Sequence, residues 1–524
     1  MIGAAKRLAL PAAIVLCHVY NFPYLPDVMA NEKARAYATM ALVDRGTLDI
    51  REEILRHGYT PDVSHVGDRR YSNKAPGASL LGVPVYGVLR LFGEPTLRAT
   101  IWALRVFAVT LPCLLLLLPF ARLLARVAPE PGPFRAALVG YALGSLALPY
   151  SILFMGHQLA AALVGAAFAW LADARPRRAL WAGLACGAAI LVEYQAALAA
   201  SVLAVYALRV VGVRRTLTSF AVGALPGIAA LALYHTIAFG APWRTGTWLV
   251  GPELQPMLAD VSPWPQRAKL WHALVSPRHG LLAFSPWLAL ALPGVVVLFC
   301  YRQESSHDAS IVGLRASPAL SCDWQESSRR ASVVGLRASH ALWRQRRAQA
   351  LACAAVVAAF IWFGGSLAPW QASWDVGPRY LACLGPFAAV AAAAALSAGW
   401  PTRWRGAALG LVVASVVIHT LVVTVLPYYP PSYTNPFVDV TLAYLRAGRV
   451  TYNAGMLLGL RGVASVAPYL AVVAALIGWM LAPRPRRFTL VALVVAALHL
   501  GGLALVERHG SASTRANLEL NWEP

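Results

Sequence analysis

Apolar runs of roughly 15–25 residues, the length a helix needs to cross the ~30 Å hydrocarbon core of a bilayer, recur along this chain from Leu8 to Val506. Basic clusters fall at every second boundary between them: Lys6/Arg7, Arg122/Arg126/Arg135, Arg175/Arg177/Arg178, Arg209/Arg214/Arg215, Arg302 to Arg347, Arg403/Arg405 and Arg484/Arg486/Arg487. Lys and Arg concentrate on the cytoplasmic side, so the clusters mark the inward ends. Threading the chain through them gives spans near residues 8–24, 98–121, 134–155, 158–173, 179–193, 195–211, 217–239, 279–300, 348–366, 379–399, 406–427, 466–482 and 488–506. The chain therefore reads as an all-α integral membrane protein of about 13 transmembrane helices, N-terminus in the cytoplasm and C-terminus outside.

Composition agrees. Hydrophobic residues make up 58% of the 524 positions and charged residues 13%, against roughly 25% charged in a soluble domain. The net charge of +22 is carried by the loop clusters, so it reads as topology rather than as a nucleic-acid footprint. The cysteines form no C-x-x-C pair and no metal-ligand spacing. The first apolar run lacks a small-residue cleavage site before Tyr20-Asn21-Phe22-Pro23 and reads as a retained span. The Ala, Arg and Leu content points to a GC-rich bacterial source and an inner-membrane location.

Four parts follow: a transmembrane module over residues 1–300 with an outward loop at 25–97, a cytoplasmic loop at 301–347, transmembrane helices over 348–506 with an outward loop at 427–465, and an outward tail at 507–524. The cytoplasmic loop holds a duplication, Gln303–Leu320 recurring as Gln325–Leu342. Two copies cannot build a solenoid, and the polar composition reads as a flexible insertion.

Nine of the 23 acidic residues lie between the first two spans. A carrier places its polar residues on broken helices at mid-membrane, so an acidic outward loop points instead to chemistry at the outer surface. Within it, Asn31-Glu32 opens an apolar-periodic stretch through Arg35, Tyr37, Ala41 and Leu42 that predicts a helix lying along the membrane. A carboxylate there also offsets the helix dipole. The loop continues through Thr60-Pro61-Asp62 and then Arg70-Tyr71-Ser72-Asn73-Lys74-Ala75-Pro76-Gly77. Trp370 and Trp374 suit the interfacial aromatic belt.

An Asn/Asp-Glu pair just after the first span, followed by Lys-x-Pro-Gly/Leu, resembles the GT-C glycosyltransferases, and within them the protein O-mannosyltransferases and lipid A aminoarabinose transferases. Gly377-Pro378-Arg379-Tyr380-Leu381, Arg278-His279-Gly280, Glu193-Tyr194 and His157 at the outer end of a span add to the resemblance. It covers about residues 8–300 and 348–400. The resemblance implies a GT-C-like architecture and transfer of a sugar from a polyprenyl-phosphate carrier to an acceptor hydroxyl outside the membrane, with inversion. The acceptor, be it glycan, lipid or protein, stays open, and so does the sugar.

Roles follow from that implication. An acceptor hydroxyl attacking C1 must lose a proton, so a carboxylate within hydrogen-bond reach serves as general base; Glu32 is the first candidate and Asp62 the second. Lys74, Arg379 and Arg278 supply positive charge to the departing lipid phosphate. Asn31, standing where an Asp is more usual, Tyr71 and His157 are carried over as substrate-binding. No Walker A pattern or Gly-rich phosphate loop indicates a nucleotide donor, no metal-ligand cluster is evident, and no cofactor is implied with certainty. Two other readings compete: a lipid or polysaccharide transporter or flippase, and a non-catalytic subunit of an envelope-assembly complex. A transporter predicts paired, Gly/Pro-broken spans in corresponding halves, a symmetry this sequence does not show.

Overall fold

The structure, a computed structural model, describes residues 2–173, 175–252, 255, 261–300, 323–367, 374–482 and 484–506. It is an assembly of helices with one small hairpin. The outward loop after α1 (Ile2–Val19) folds into α2 (Ala30–Arg45), α3 (Arg51–His57), strands β1 (Val63–Val66) and β2 (Arg69–Ser72), and α4 (Gly77–Arg90). Then come α5 (Leu97–Val127), α6 (Pro131–Leu143), α7 (Gly156–Leu171), α8 (Pro176–Val192), α9 (Ala196–Val210), α10 (Val213–Phe239), α11 (Pro286–Cys300), α12 (Asp323–Ser366), α13 (Arg379–Ser397), α14 (Thr402–Val425), α15 (Gly462–Leu481) and α16 (Arg486–Leu505).

This is an integral membrane protein. Among the described residues seven helices are long and apolar enough to cross a bilayer: α5, α10, the Trp343–Ser366 part of α12, α13, α14, α15 and α16. Four shorter apolar helices are Ala9–Val19, α7, α9 and α11. Each expected span thus meets a helix, although a count of thirteen crossings exceeds the seven that qualify by length. The segment expected as one span over 134–155 is two helices, because α6 ends at Gly144 and the chain re-forms a single turn at Ala147–Ser151. The adjacent short spans near 179–193 and 195–211 are separate helices, turned at Glu193-Tyr194-Gln195.

Contact between α8 and α10 is close enough to leave no room for side chains. Gly183 and Gly187 lie against the backbone of Phe220 and Ala224, and Gly223 and Gly227 lie against Leu180 and Gly187, so that a Cβ at any of the four would run into main-chain atoms. These are two interlocked G-x-x-x-G pairs, the small-residue seam by which membrane helices gain van der Waals contact.

The duplicated segment departs from expectation. Its second copy is helical and continuous with the span in α12, rather than a flexible insertion; Ala, Leu, Arg, Gln and Ser carry modest helix penalties, with a single Gly at 335. The first copy, Trp370 and the tail at 507–524 lie outside the described residues.

Candidate active site

The helix expected to begin at Asn31 is α2, more buried than a helix lying on a membrane surface: every residue from Asn31 to Ala41 is covered. It ends at Gly46, whose left-handed φ of 65° lets its N–H cap Leu42 and Ala41. Glu32, in its first turn, is fully buried. Arg105 donates to Glu32 Oε2 through Nε at 2.7 Å and to Oε1 through Nη2 at 2.8 Å. The Phe154 amide donates to Oε2 at 2.5 Å and the Tyr428 hydroxyl donates to Oε1. A carboxylate offers about four lone-pair sites, and all four are taken. Arg105 starts a π-helical turn in α5 and also donates to the Pro23 carbonyl, so this ion pair ties α2, α5 and the loops at 154 and 428 together.

Asn31 and Arg35 form a second knot. Arg35 donates to Asn31 Oδ1 at 2.9 Å, to the Ala75 carbonyl at 2.9 Å and to Glu193 Oε1 at 2.5 Å. Asn31 therefore orients Arg35, which in turn holds the Lys74-Ala75 backbone. An Asp at 31 would bring a second carboxylate to a guanidinium already paired with Glu193.

Asp62 is differently placed. It precedes β1, and the hairpin returns β2 beside it: Val63 pairs with Ser72, and the Asn73 amide donates to the Asp62 carbonyl at 3.2 Å. The two-residue turn needs Gly67, at φ 56°. The hairpin thereby sets Lys74 Nζ 2.7 Å from Asp62 Oδ1, with the two side chains 17% and 15% exposed. Burial pushes the Asp62 carboxyl up, but Lys74, the charge of Arg379 and the Asn73 side chain outweigh it and hold the group below the usual carboxylate range.

Arg379 comes from the other half of the chain. Gly377, at φ 64°, lets the backbone reverse before Pro378, and the Tyr150 hydroxyl donates to the Val376 carbonyl at 2.8 Å. Arg379 then starts α13 with its guanidinium over the Tyr380 ring, 5.2 Å to the centroid. Its Nε lies 3.3 Å from Asp375 Oδ2. On the opposite side His279 Nδ1 approaches Asp375 Oδ1 at 3.4 Å, and the charge of Arg278 reaches the same carboxylate. Burial pushes the Asp375 carboxyl up to about 7, against the pull of Arg379 and Arg278. Burial, then the charges of Arg278 and Arg379, push His279 down to about 3, so this imidazole is neutral.

His157, expected to bind substrate, is buried with its ring edge-on to Tyr150 and Tyr380, centroids 5.6 and 5.4 Å away. It packs the ring beside Arg379. Tyr71 lies edge-on to Phe239 at 6.0 Å, and with Phe239, Arg69 and Arg244 lines an open cleft of about 560 Å³. The structure thus brings Asp62, Lys74, Arg379 and Arg278 toward one region. Glu32 and Asn31 sit in their own hydrogen-bond networks, and Tyr71 lies two strand positions from Asn73, which stands opposite Asp62.

Asp375 was not anticipated. A signal existed, for it is the one acidic residue between Glu326 and Asp439 and stands four before Arg379. Arg105 was also missed, because an arginine within an apolar run reads as a span boundary until its partner is seen. Among the described residues no group of three or more His, Cys, Asp or Glu side chains is arranged to hold a metal ion.

No protein-family profile matches the chain, and no curated protein matches it. Among solved structures it is similar to ArnT from Cupriavidus metallidurans in the apo state, at 16% identity and a TM-score of 0.46, and to the same protein bound to undecaprenyl phosphate, at 16% identity and 0.43. Each alignment covers 96% of this chain and 78% of the other.

Proposed function

We propose that this protein is a membrane glycosyltransferase that moves a sugar from a polyprenyl-phosphate carrier to an acceptor hydroxyl at the outer face, with inversion, and that Asp62 is its general base. One observation carries the reading: Asp62 is a partly open carboxylate held by Lys74, with the charge of Arg379 in reach; the positive-inside rule assigns this end of the helices to the outside. The GT-C-like motifs supply the donor class.

In this reading Lys74 has two partners. At rest it neutralises Asp62. A lipid phosphate draws Lys74 and Arg379 toward its oxygens, and Asp62, relieved of a cation, becomes more basic as substrate binds. The acceptor oxygen attacks C1 while its proton passes to Asp62. The bond from C1 to the phosphate oxygen breaks, and the charge left on the lipid phosphate is stabilised by the two cations. A single displacement inverts C1. Glu32 has no lone pair to spare and serves as a structural tie.

The test compares Asp62→Asn with Glu32→Gln in purified protein reconstituted with labelled polyprenyl-phosphate sugars and membrane extract, reading label transferred, carrier released and thermal midpoint. Asp62→Asn is expected to lower transfer ~10²–10⁴-fold, the usual worth of a positioned base, with a smaller fall in the midpoint than Glu32→Gln, since Asp62 loses one partly exposed ion pair. Glu32→Gln is expected to lower the midpoint and the yield of folded protein. Unchanged transfer in Asp62→Asn would remove it as the base, and no carrier release from any donor would sink the transferase reading.

A further inference from the structure

At the membrane end opposite Asp62 the helices leave an apolar cleft of about 250 Å³ between α11, α13, α14 and α16. Leu290, Leu411 and Val495 line its depth, while Trp400, Trp404 and Arg405 stand at its mouth. From Arg405 to Leu411 is six residues along α14, about 9 Å at the helical rise, so the cleft runs from the interface into the hydrocarbon zone. Trp400 is fixed there by donating from its indole to the Ala395 carbonyl at 2.9 Å.

Around the mouth the charge is predominantly basic, with Glu130 the acidic residue that reaches it. Arg403, Arg405, Arg484, Arg486 and Arg487 come from the adjoining starts of α14 and α16 and the turn before α16. Arg405 and Arg484 line one small cavity together. Among the described residues the one ion pair these five make is Arg405 with Glu130, at 3.6 Å and with Glu130 63% exposed. An apolar channel opening under a cluster of arginines beside interfacial tryptophans has the polarity profile of an anionic lipid: phosphate at the arginines, acyl chain in the cleft.

We infer that this cleft is a binding site for an acyl chain of an anionic phospholipid of the membrane itself, seated in the leaflet away from the sugar-transfer site. Charge complementarity selects anionic over zwitterionic headgroups. The inference stands apart from the proposed enzymology, because none of its residues belongs to the Asp62 region.

Native mass spectrometry of the purified full chain tests it, with cardiolipin, phosphatidylglycerol, phosphatidylcholine and a polyprenyl phosphate as the probes. Cardiolipin and phosphatidylglycerol are expected to form adducts at about tenfold lower concentration than phosphatidylcholine, and to raise the thermal midpoint. Arg405→Gln should erase that preference and Arg405→Lys should keep it. Ala408→Trp, which fills the cleft and leaves the charge, should weaken all phospholipid adducts. Equal affinity for phosphatidylcholine, an unchanged preference in Arg405→Gln, or unweakened adducts in Ala408→Trp would reduce the site to ordinary annular lipid. Preferential binding of the polyprenyl phosphate, lost in Ala408→Trp, would overturn the assignment of the occupant.

Discussion

At the residue scale, the two carboxylates offered by the first loop differ by the number of donors around them rather than by their depth in the sequence. Glu32 meets two contacts from Arg105, one hydroxyl and one amide; Asp62 meets Lys74 and the Asn73 side chain. Breaking a buried, fully hydrogen-bonded pair by removing one partner costs about 3–5 kcal/mol, which is why Glu32 reads as architecture. Asp62 has a titration signature. Its native pKa is depressed, chiefly by Lys74 set against burial, so the stability it contributes is present above the ordinary carboxylate pKa and lost as pH falls through the lowered one. For activity the same sign applies: the acid limb of kcat/KM should lie below the usual carboxylate range. Lys74→Met removes the main opposing charge, and the limb should move to higher pH while the plateau also falls. Measuring kcat/KM across the acid range up to neutral pH separates the two effects. A lower plateau with an unmoved limb would mean that Lys74 serves the phosphate alone.

The elements show what sequence pattern reveals and what it does not. Helix positions in the membrane were legible because apolar length and arginine clusters act over whole segments. The helix at Asn31 was legible from its apolar period, but its complete burial was not, since burial depends on α4 and α5 closing over it. The hairpin was missed because four-residue strands are too short to show an alternation, leaving Gly67-Asp68 as its one cue. Asp375 escaped because its meaning depends on Arg278 and His279, about a hundred residues earlier. The α8–α10 seam makes a prediction at this scale. Gly187→Val must force its side chain into the backbone at Ala224, where neither helix can yield without opening the seam. Gly478→Val in α15 meets nothing within 4 Å. Fluorescence size-exclusion profiles should show loss of monodisperse protein for the first and an unchanged peak for the second. A monodisperse Gly187→Val would mean that the two helices are free to separate.

For the whole molecule, orientation is the property on which the proposed chemistry depends. Residues 62–74 and 375–379 meet although about three hundred positions separate them, because the starts of α7 and α13 and the first loop's hairpin share one end of the helix assembly. The positive-inside rule assigns that end to the outside, and a lipid-linked donor used there must already have its sugar across the membrane. Asp68, exposed at the hairpin turn, is a reporter for this end. The native cysteines at 17, 113, 186, 353 and 383 are buried, whereas Cys300 is exposed at the far end of α11. With Cys322 changed to Ser, Asp68→Cys in intact spheroplasts should react with a membrane-impermeant maleimide, and Cys300 should react only after the membrane is opened. Inside-out vesicles should reverse the pattern. Labelling from outside at Cys300 but not at position 68 would put the Asp62 end in the cytoplasm, where a cytosolic sugar donor would reach it without any carrier lipid, and the case for a polyprenyl-phosphate donor would lose its geometric support.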